Sequence, residues 1–319
     1  MSTDTLIGVI LPVFGLIGIG YLVARFGLVS DAVGDALAEF VFKVCLPLLL
    51  FRTLATLGWP ETSPWPIWLT YFAGVAIIWT IAAITIRRVF GRDARSSVVA
   101  GMAAGYSNLV LLGIAVIDQA FGEAGLVDIL VLVSVHLPIM LVASEILTER
   151  AERKDGLRSA STSPLMLTRR VALTLLLSPL LIGMMAGIAY NVSGLPFAGL
   201  PADLIERIAD IAIPMALLSL GMGLKKYGIR GAIVPAAAIG MIKILVFPAI
   251  VYLIAAYVVG LPDFHVAVLT ISAACPTGVN AYLIANRIGT GQALSANALT
   301  LTTVASMVSI SVWLAVLGY

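Results

Sequence analysis

The chain has 319 residues, 61% hydrophobic and only 11% charged, with a formal net charge of +2, where a soluble domain carries roughly a quarter charged residues. A water-soluble fold is excluded, because no globular surface can hide that much apolar area, and nothing in the charge calls for a nucleic-acid partner. The two cysteines, Cys45 and Cys275, fall inside predicted helices without metal-ligand spacing, so neither a disulfide nor a cofactor is expected.

The first apolar run reaches Arg25 with no Lys or Arg ahead of it, so it reads as a spanning helix at 5–26 and not as a cleaved signal peptide. Charged and Gly/Pro-rich breaks then delimit helices at 32–57, 65–89, 96–119, 125–147, 171–191, 203–224, 231–259, 264–286 and 292–317. Each can cross a bilayer, which takes roughly 20 mostly apolar residues. The polar, Ser/Thr-rich stretch 148–170 divides these ten helices five and five, giving regions 1–147 and 171–319 joined by a cytoplasmic linker.

Fifteen of the 19 Lys and Arg residues occupy alternate loops, at Arg25, between Arg87 and Arg95, between Arg150 and Arg170, between Lys225 and Arg230, and at Arg287. The intervening loops hold Asp4, Glu61, Glu123 and Asp263 instead. The positive-inside rule therefore puts both termini outside the cytoplasm. An odd number of spans per half makes the second half enter from the opposite side, the geometry of an inverted repeat. A trace survives in Glu39, Lys43 and Pro47 against Glu206, Asp210 and Pro214, at equal spacing. The fold class expected is an all-α integral membrane protein of ten transmembrane helices in two inverted five-helix repeats.

The fourth helix reads Gly101-Met-Ala-Ala-Gly105-Tyr106-Ser107-Asn108, and the ninth Ser272-Ala-Ala-Cys275-Pro276-Thr277-Gly278-Val279-Asn280. Pro276 removes a helical N–H and the glycines permit non-helical backbone, so both helices can break at mid-membrane depth. Such irregular backbone is tolerated only where protein or a watery cavity satisfies it, and half-helix N-termini then attract anions. Ser107, Asn108, Pro276, Thr277 and Asn280 are the candidate substrate-binding residues; the competing reading makes the two asparagines interhelical hydrogen-bonding groups.

Lys243 lies mid-helix with no acidic residue within a turn, where an unpaired ammonium costs at least roughly 2.5–3.5 kcal/mol. Its partner is a substrate carboxylate, a helix C-terminus or a carboxylate on another helix. Lys43 and Asp210, at equivalent repeat positions, are expected to pair across the pseudo-two-fold, with Glu39 as a local alternative for Lys43. His136 and Glu145, with Asp210, are the candidates for coupling or proton relay. His265 and Asp263 look interfacial, and Trp59, Trp65 and Trp68 suit a membrane belt.

Leu46-Pro47-Leu-Leu-Leu-Phe51-Arg52, Ser107-Asn108 through Gly113, Ile213-Pro214 through Leu220-Gly221, and Ala274-Cys-Pro276-Thr277-Gly-Val-Asn280-Ala-Tyr282 through Arg287-Ile-Gly289 together resemble the auxin efflux carrier family, in its bacterial branch that includes malonate carriers. The chain departs from that pattern at Val110 and Ala115. The resemblance implies broken helices 4 and 9 that cross, a scaffold of helices 1, 2, 6 and 7, an elevator-like transport domain, carboxylate substrates, a homodimer and a multi-pass place in a bacterial inner membrane. The function expected is secondary transport of small organic anions such as malonate, malate or auxin-like acids, with H+ or Na+ coupling open. The alternatives are a sensor that keeps the transporter fold and, less favoured, a cation/proton antiporter, which normally needs carboxylates where this chain has asparagines. An intramembrane enzyme would need a nucleophile–base set or metal ligands, and the chain has two His and neither His-Glu-x-x-His nor Gly-x-Ser-x-Gly.

Overall fold

In a computed structural model of the chain, residues 3–56, 63–157, 173, 177–227 and 231–319 are described. Trp59, Glu61, Arg230 and linker positions 158–170 lie outside them. Every regular element among the described residues is helical. In order these are α1 (Thr3–Arg25), α2 (Asp31–Phe40), α3 (Leu46–Thr56), α4 (Trp65–Arg88), α5 (Ala94–Gly105), α6 (Ile114–Lys154) and α7 (Pro179–Ser193). Then come α8 (Leu200–Tyr227), α9 (Ile233–Met241), α10 (Phe247–Leu253), α11 (Asp263–Ala274), α12 (Asn280–Ile288) and α13 (Gln292–Leu317). Short π turns, Val41–Cys45 and Ile242–Val246, join α2 to α3 and α9 to α10 without ending the rod; Leu109–Gly113 leads into α6, and Ile254–Val259 follows α10.

Six of these stretches are long and apolar enough to cross a membrane: Gly8–Arg25, Trp65–Arg88, Leu109–Lys154, Leu200–Lys225, Ile233–Val259 and Gln292–Leu317. The third has 46 residues, about 69 Å of helix against a hydrocarbon core of about 30 Å. It turns back at Gly122, whose φ of 62° and ψ of −157° are open only to glycine, so 109–121 and 123–154 are separate rods. The second rod runs past the expected end at 147 into the linker, through Lys154, where an i,i+4 pair of Glu149 and Arg153 at 2.5 Å carries the helix into charged sequence.

The helices pack as two bodies. In one, α8 lies against α1, α2 and α3, and α7 against α3. The other holds α4, α5, α6 and α9 to α13, with α5 between α4 and α6 and α11 touching α6, α10 and α13. Lipid gives helices no hydrophobic reason to associate, so close backbone approach through small residues takes its place. Gly183 and Gly187 of α7, four apart, sit on the Pro47 and Phe51 backbone of α3, and a Cβ at Gly187 would meet the Phe51 carbonyl oxygen at 2.6 Å. Gly20 of α1 and Gly221 of α8 do the same reciprocally, against the Leu218 and Ile17 carbonyls.

Candidate functional site

Both expected breaks are present. Helix α5 stops at Gly105, Tyr106 takes an extended conformation, and Asn108 caps the next half-helix, its Oδ1 accepting from the Leu111 N–H at 3.3 Å. Helix α11 stops at Ala274; Cys275, held at ψ 149° ahead of proline, Pro276 and Thr277 lead to Gly278 and then α12. The two interruptions lie against each other as a short antiparallel pairing centred on Ser107 and Thr277. Asn108 N–H donates to the Pro276 carbonyl at 2.8 Å and Gly278 N–H to the Tyr106 carbonyl at 2.9 Å. Thr277 completes the account: its N–H donates to Thr302 Oγ1 at 3.0 Å and its hydroxyl to the Ala103 carbonyl at 2.7 Å. Each break thus supplies the partners that the other lost, which is what buried backbone requires.

Lys243, in the π turn between α9 and α10, is fully buried on the same crossing. Its Nζ donates to Ser107 Oγ at 2.5 Å and to the Ala273 carbonyl at 3.2 Å, and lies 4.3 Å from the centre of the Phe247 ring. Ala273 is at the C-terminal end of α11, where the helix dipole is negative. Of the three partners the sequence leaves open, the fold supplies the helix C-terminus. Tyr71 adds a hydrogen bond from its hydroxyl to Ser107 Oγ at 2.8 Å.

A cavity of about 610 Å³ lies between the two bodies. The N-terminal turns of both half-helices border it, through Leu109, Val110, Val279 and Asn280, and so do Tyr106, Asn108 and His136. Asn280 Nδ2 donates to the Tyr106 hydroxyl at 2.7 Å, and the Tyr106 ring stacks on His136 with centroids 4.6 Å apart and planes 4° from parallel. Gly278 leaves room for that ring, since a Cβ there would sit 2.6 Å from its carbons. Asn108 Nδ2 and His136 Nε2 are buried and have no hydrogen-bond partner among the described residues. With Oδ1 committed to the cap, the Asn108 amide has two N–H donors left to offer. An ion pair of Arg287 with Glu145 also lines the cavity, toward the ends of α12 and α6 that carry the basic loops.

The fold therefore gathers Ser107, Asn108, Asn280, His136 and Glu145 around one cavity, whereas Pro276, Thr277 and Lys243 do not line it and hold the crossing together from behind. Asp210 is away from it, paired with Arg52 at 2.5 Å on an exposed surface. The expected Lys43–Asp210 pair does not form: Lys43 takes its i−4 neighbour Glu39 at 2.5 Å, a contact that needs no tertiary alignment, and Arg52 has claimed Asp210. Trp68 is a packing residue, its indole donating to the Val131 carbonyl at 2.8 Å. His265 is paired with the buried Asp128. Tyr106, Arg287 and Tyr71 were not among the sequence candidates; the only signal for Tyr106 was its place directly after the helix-breaking Gly105.

The profile of a family described as "Membrane transport protein" matches residues 5–314. A Methanothermobacter thermautotrophicus protein named "Uncharacterized transporter" is 24% identical over 321 aligned residues, covering 99% of this chain and 98% of its own. A Rhizobium meliloti protein named "Putative malonate transporter" is 25% identical over 319, covering 95% of this chain and 93% of its own.

Proposed function

Because the chain belongs to the membrane transport protein family, that of the auxin efflux carriers, we propose that this multi-pass membrane protein is a secondary transporter of small organic anions, carboxylates above all. The observation that carries the reading is the convergence on one cavity of two half-helix N-termini and the uncommitted Nδ2 of Asn108. Helix N-termini present N–H donors and a positive dipole end to an anion. Asn108 and Asn280 add neutral amide donors, which discriminate by geometry without fixing a charge in the site. The cavity volume is in the range of small-molecule pockets. The name of the Rhizobium relative agrees with a short dicarboxylate such as malonate, and auxin-like acids present the same carboxylate chemistry.

In this reading the chain is ten spans in two inverted repeats, 1–147 and 171–319, joined by the linker at 148–170, with both termini outside the cytoplasm. The body of α1 to α3, α7 and α8 is the scaffold, and the body carrying the crossing moves against it as an elevator, in a homodimer. Ala24, Gly223 and Arg287 line the cavity, beside the basic positions Arg25 and Lys225, which in this reading makes the conformation inward-facing under the positive-inside rule. His136 and Glu145, which border the cavity, are better placed than Asp210 to couple a proton or sodium ion to the movement.

The test is uptake of radiolabelled malonate, malate and indole-3-acetate into proteoliposomes, with and without sodium and proton gradients, for wild type, Asn108→Ala and Asn280→Ala. Flux of one acid that either substitution abolishes supports the proposal, and its gradient dependence names the coupling ion. Binding without flux selects the sensor reading; no binding of any acid by folded protein removes carboxylates as the substrate class.

A further inference from the structure

A second cavity, of about 1000 Å³, lies on the opposite flank of the moving body, between α4, the start of α5 and α6. It plays no part in the substrate site and shares no lining residue with it. One end is ringed by five cations, Arg87, Arg88, Arg92, Arg150 and Lys154. No Asp or Glu lines the cavity, and none of the five has an ion-pair partner among the described residues. Of the carboxylates nearby, Asp93 and Asp155 are engaged by the α5 N-terminus and Arg95, and Glu149 by Arg153.

Below the cations the wall is apolar, running through Ile84, Leu147, Ala83, Trp79, Val75 and Phe72. The polar side chains on it are internally satisfied, Thr80 by the Ala76 carbonyl at 2.8 Å and Ser97 by the Ala94 carbonyl at 2.6 Å. Its rim is open sideways, for Ala76, Thr80, Ile84 and Ile139 are exposed. From Arg88 down to Phe72 the groove follows seventeen residues of α4, about 24 Å of helix, which exceeds the roughly 15 Å of one leaflet's hydrocarbon.

We propose that this groove is a binding site for an anionic phospholipid, its phosphate held by the five cations and one acyl chain laid along the apolar wall. Unpaired cations at a membrane boundary attract any anion, but only a lipid also covers a groove that continues apolar to mid-membrane depth and opens laterally. Basic pockets between membrane helices are a recurrent setting for acidic headgroups. Bound there, the lipid bridges α4 to α6, two elements whose direct contact is slight beside that of α4 with α5.

The experiment is native mass spectrometry of the full-length, detergent-solubilised protein titrated with phosphatidylglycerol, phosphatidylcholine or glycerol phosphate. The groove variant is Arg87→Gln/Arg88→Gln/Arg150→Gln. Its charge-matched control outside the groove is Arg25→Gln/Arg153→Gln/Lys225→Gln. Wild type retains phosphatidylglycerol in preference to phosphatidylcholine, the groove variant binds it at least about tenfold more weakly, and the control stays within about twofold. Ala76→Trp, on the exposed rim, weakens phosphatidylglycerol with every charge kept, which keeps the proposal testable should the triple variant fail to fold. Equal loss in the control, equal retention of phosphatidylcholine, glycerol phosphate binding as tightly as the lipid, or unchanged binding by Ala76→Trp would each overturn it.

Discussion

Asn108 performs two separable tasks, and substitution can pull them apart. Its Oδ1 caps the half-helix that starts at Leu109, and its Nδ2 is buried without a partner beside the cavity. Asn108→Ala removes both: losing the cap costs about 1 kcal/mol of stability, and losing a neutral donor to a carboxylate costs about 2 kcal/mol of binding, near thirtyfold in Kd. Asn108→Asp keeps the cap, since Asp caps as well as Asn, but sets a carboxylate against the incoming one. Two like charges about 4 Å apart at an effective dielectric near 20 repel by about 4 kcal/mol, on the order of a thousandfold. Stability should therefore rank wild type and Asp together above Ala, while binding ranks wild type above Ala above Asp. Thermal unfolding in detergent reads the first order, and equilibrium binding of the transported acid reads the second. An Asp variant that binds like wild type, or an Ala variant whose binding falls only as far as its folded fraction, would refute the assignment of Nδ2 to the substrate.

Lys243→Met keeps length but strips the donors that hold Ser107 and the Ala273 carbonyl; a loss of about 2–3 kcal/mol in stability is expected, with Kd for the acid moved by less than about threefold, as thermal unfolding and binding together will read. Gly278→Ala drives a methyl into the Tyr106 ring, tilting it off His136, so uptake should fall more than about tenfold at near-normal expression. Asp93 caps α5 through the Ser96 N–H at 2.9 Å; burial raises its carboxyl, yet the hydrogen bonds from Ser96 and the charge of Arg95 outweigh that and hold it below the usual carboxylate value. A lowered carboxyl stabilises fully above its unfolded pKa of about 3.9 and ceases to as pH falls through the lower folded value. Asp93→Ala should thus lower the unfolding temperature at pH 7, by a cap's worth of about 1 kcal/mol, and lower it less in acid.

What could be read from the chain was whatever a local rule governs. Pro276, Gly278 and the run before Asn108 announced both breaks because proline and glycine act on their own backbone. The bridge between Ser107 and Thr277 could not be foreseen, since 170 residues separate partners that meet only when two helices cross. Lys43 shows the same division: its i−4 carboxylate was visible, but Arg52, embedded in an apolar run, gave no sign that it would take Asp210. Asp128, a single acid in an apolar helix, carries no local sign of its partner, although burial beside His265 is how such a residue survives there. Helix α6 outlasts the apolar run that ends near 147 because hydropathy stops at the membrane boundary while helical hydrogen bonding, with Glu149 and Arg153 in register, does not.

The placement of Lys243 has a consequence for how the proposed motion responds to voltage. Two half-helices end at the crossing and two begin there, so negative dipole ends of about half a charge each lie on the Lys243 side and positive ends of similar size on the cavity side. The dipoles carry no net charge. A protonated Lys243, which has no carboxylate partner among its contacts, gives the crossing a formal charge of +1. A bound monocarboxylate cancels it, so the loaded body crosses the field as a neutral object and the empty body returns with its charge exposed to a potential worth about 2.3 kcal/mol per 100 mV. Exchange of a monocarboxylate with both sides saturated should therefore be insensitive to an imposed potential, while net uptake, which needs the empty return, should change with it; in Lys243→Met the loaded body itself carries the negative charge, so exchange should become sensitive to the potential while net uptake stays so. Proteoliposomes clamped with potassium and valinomycin distinguish these cases, and net uptake in wild type that ignores the potential would place the moving charge elsewhere.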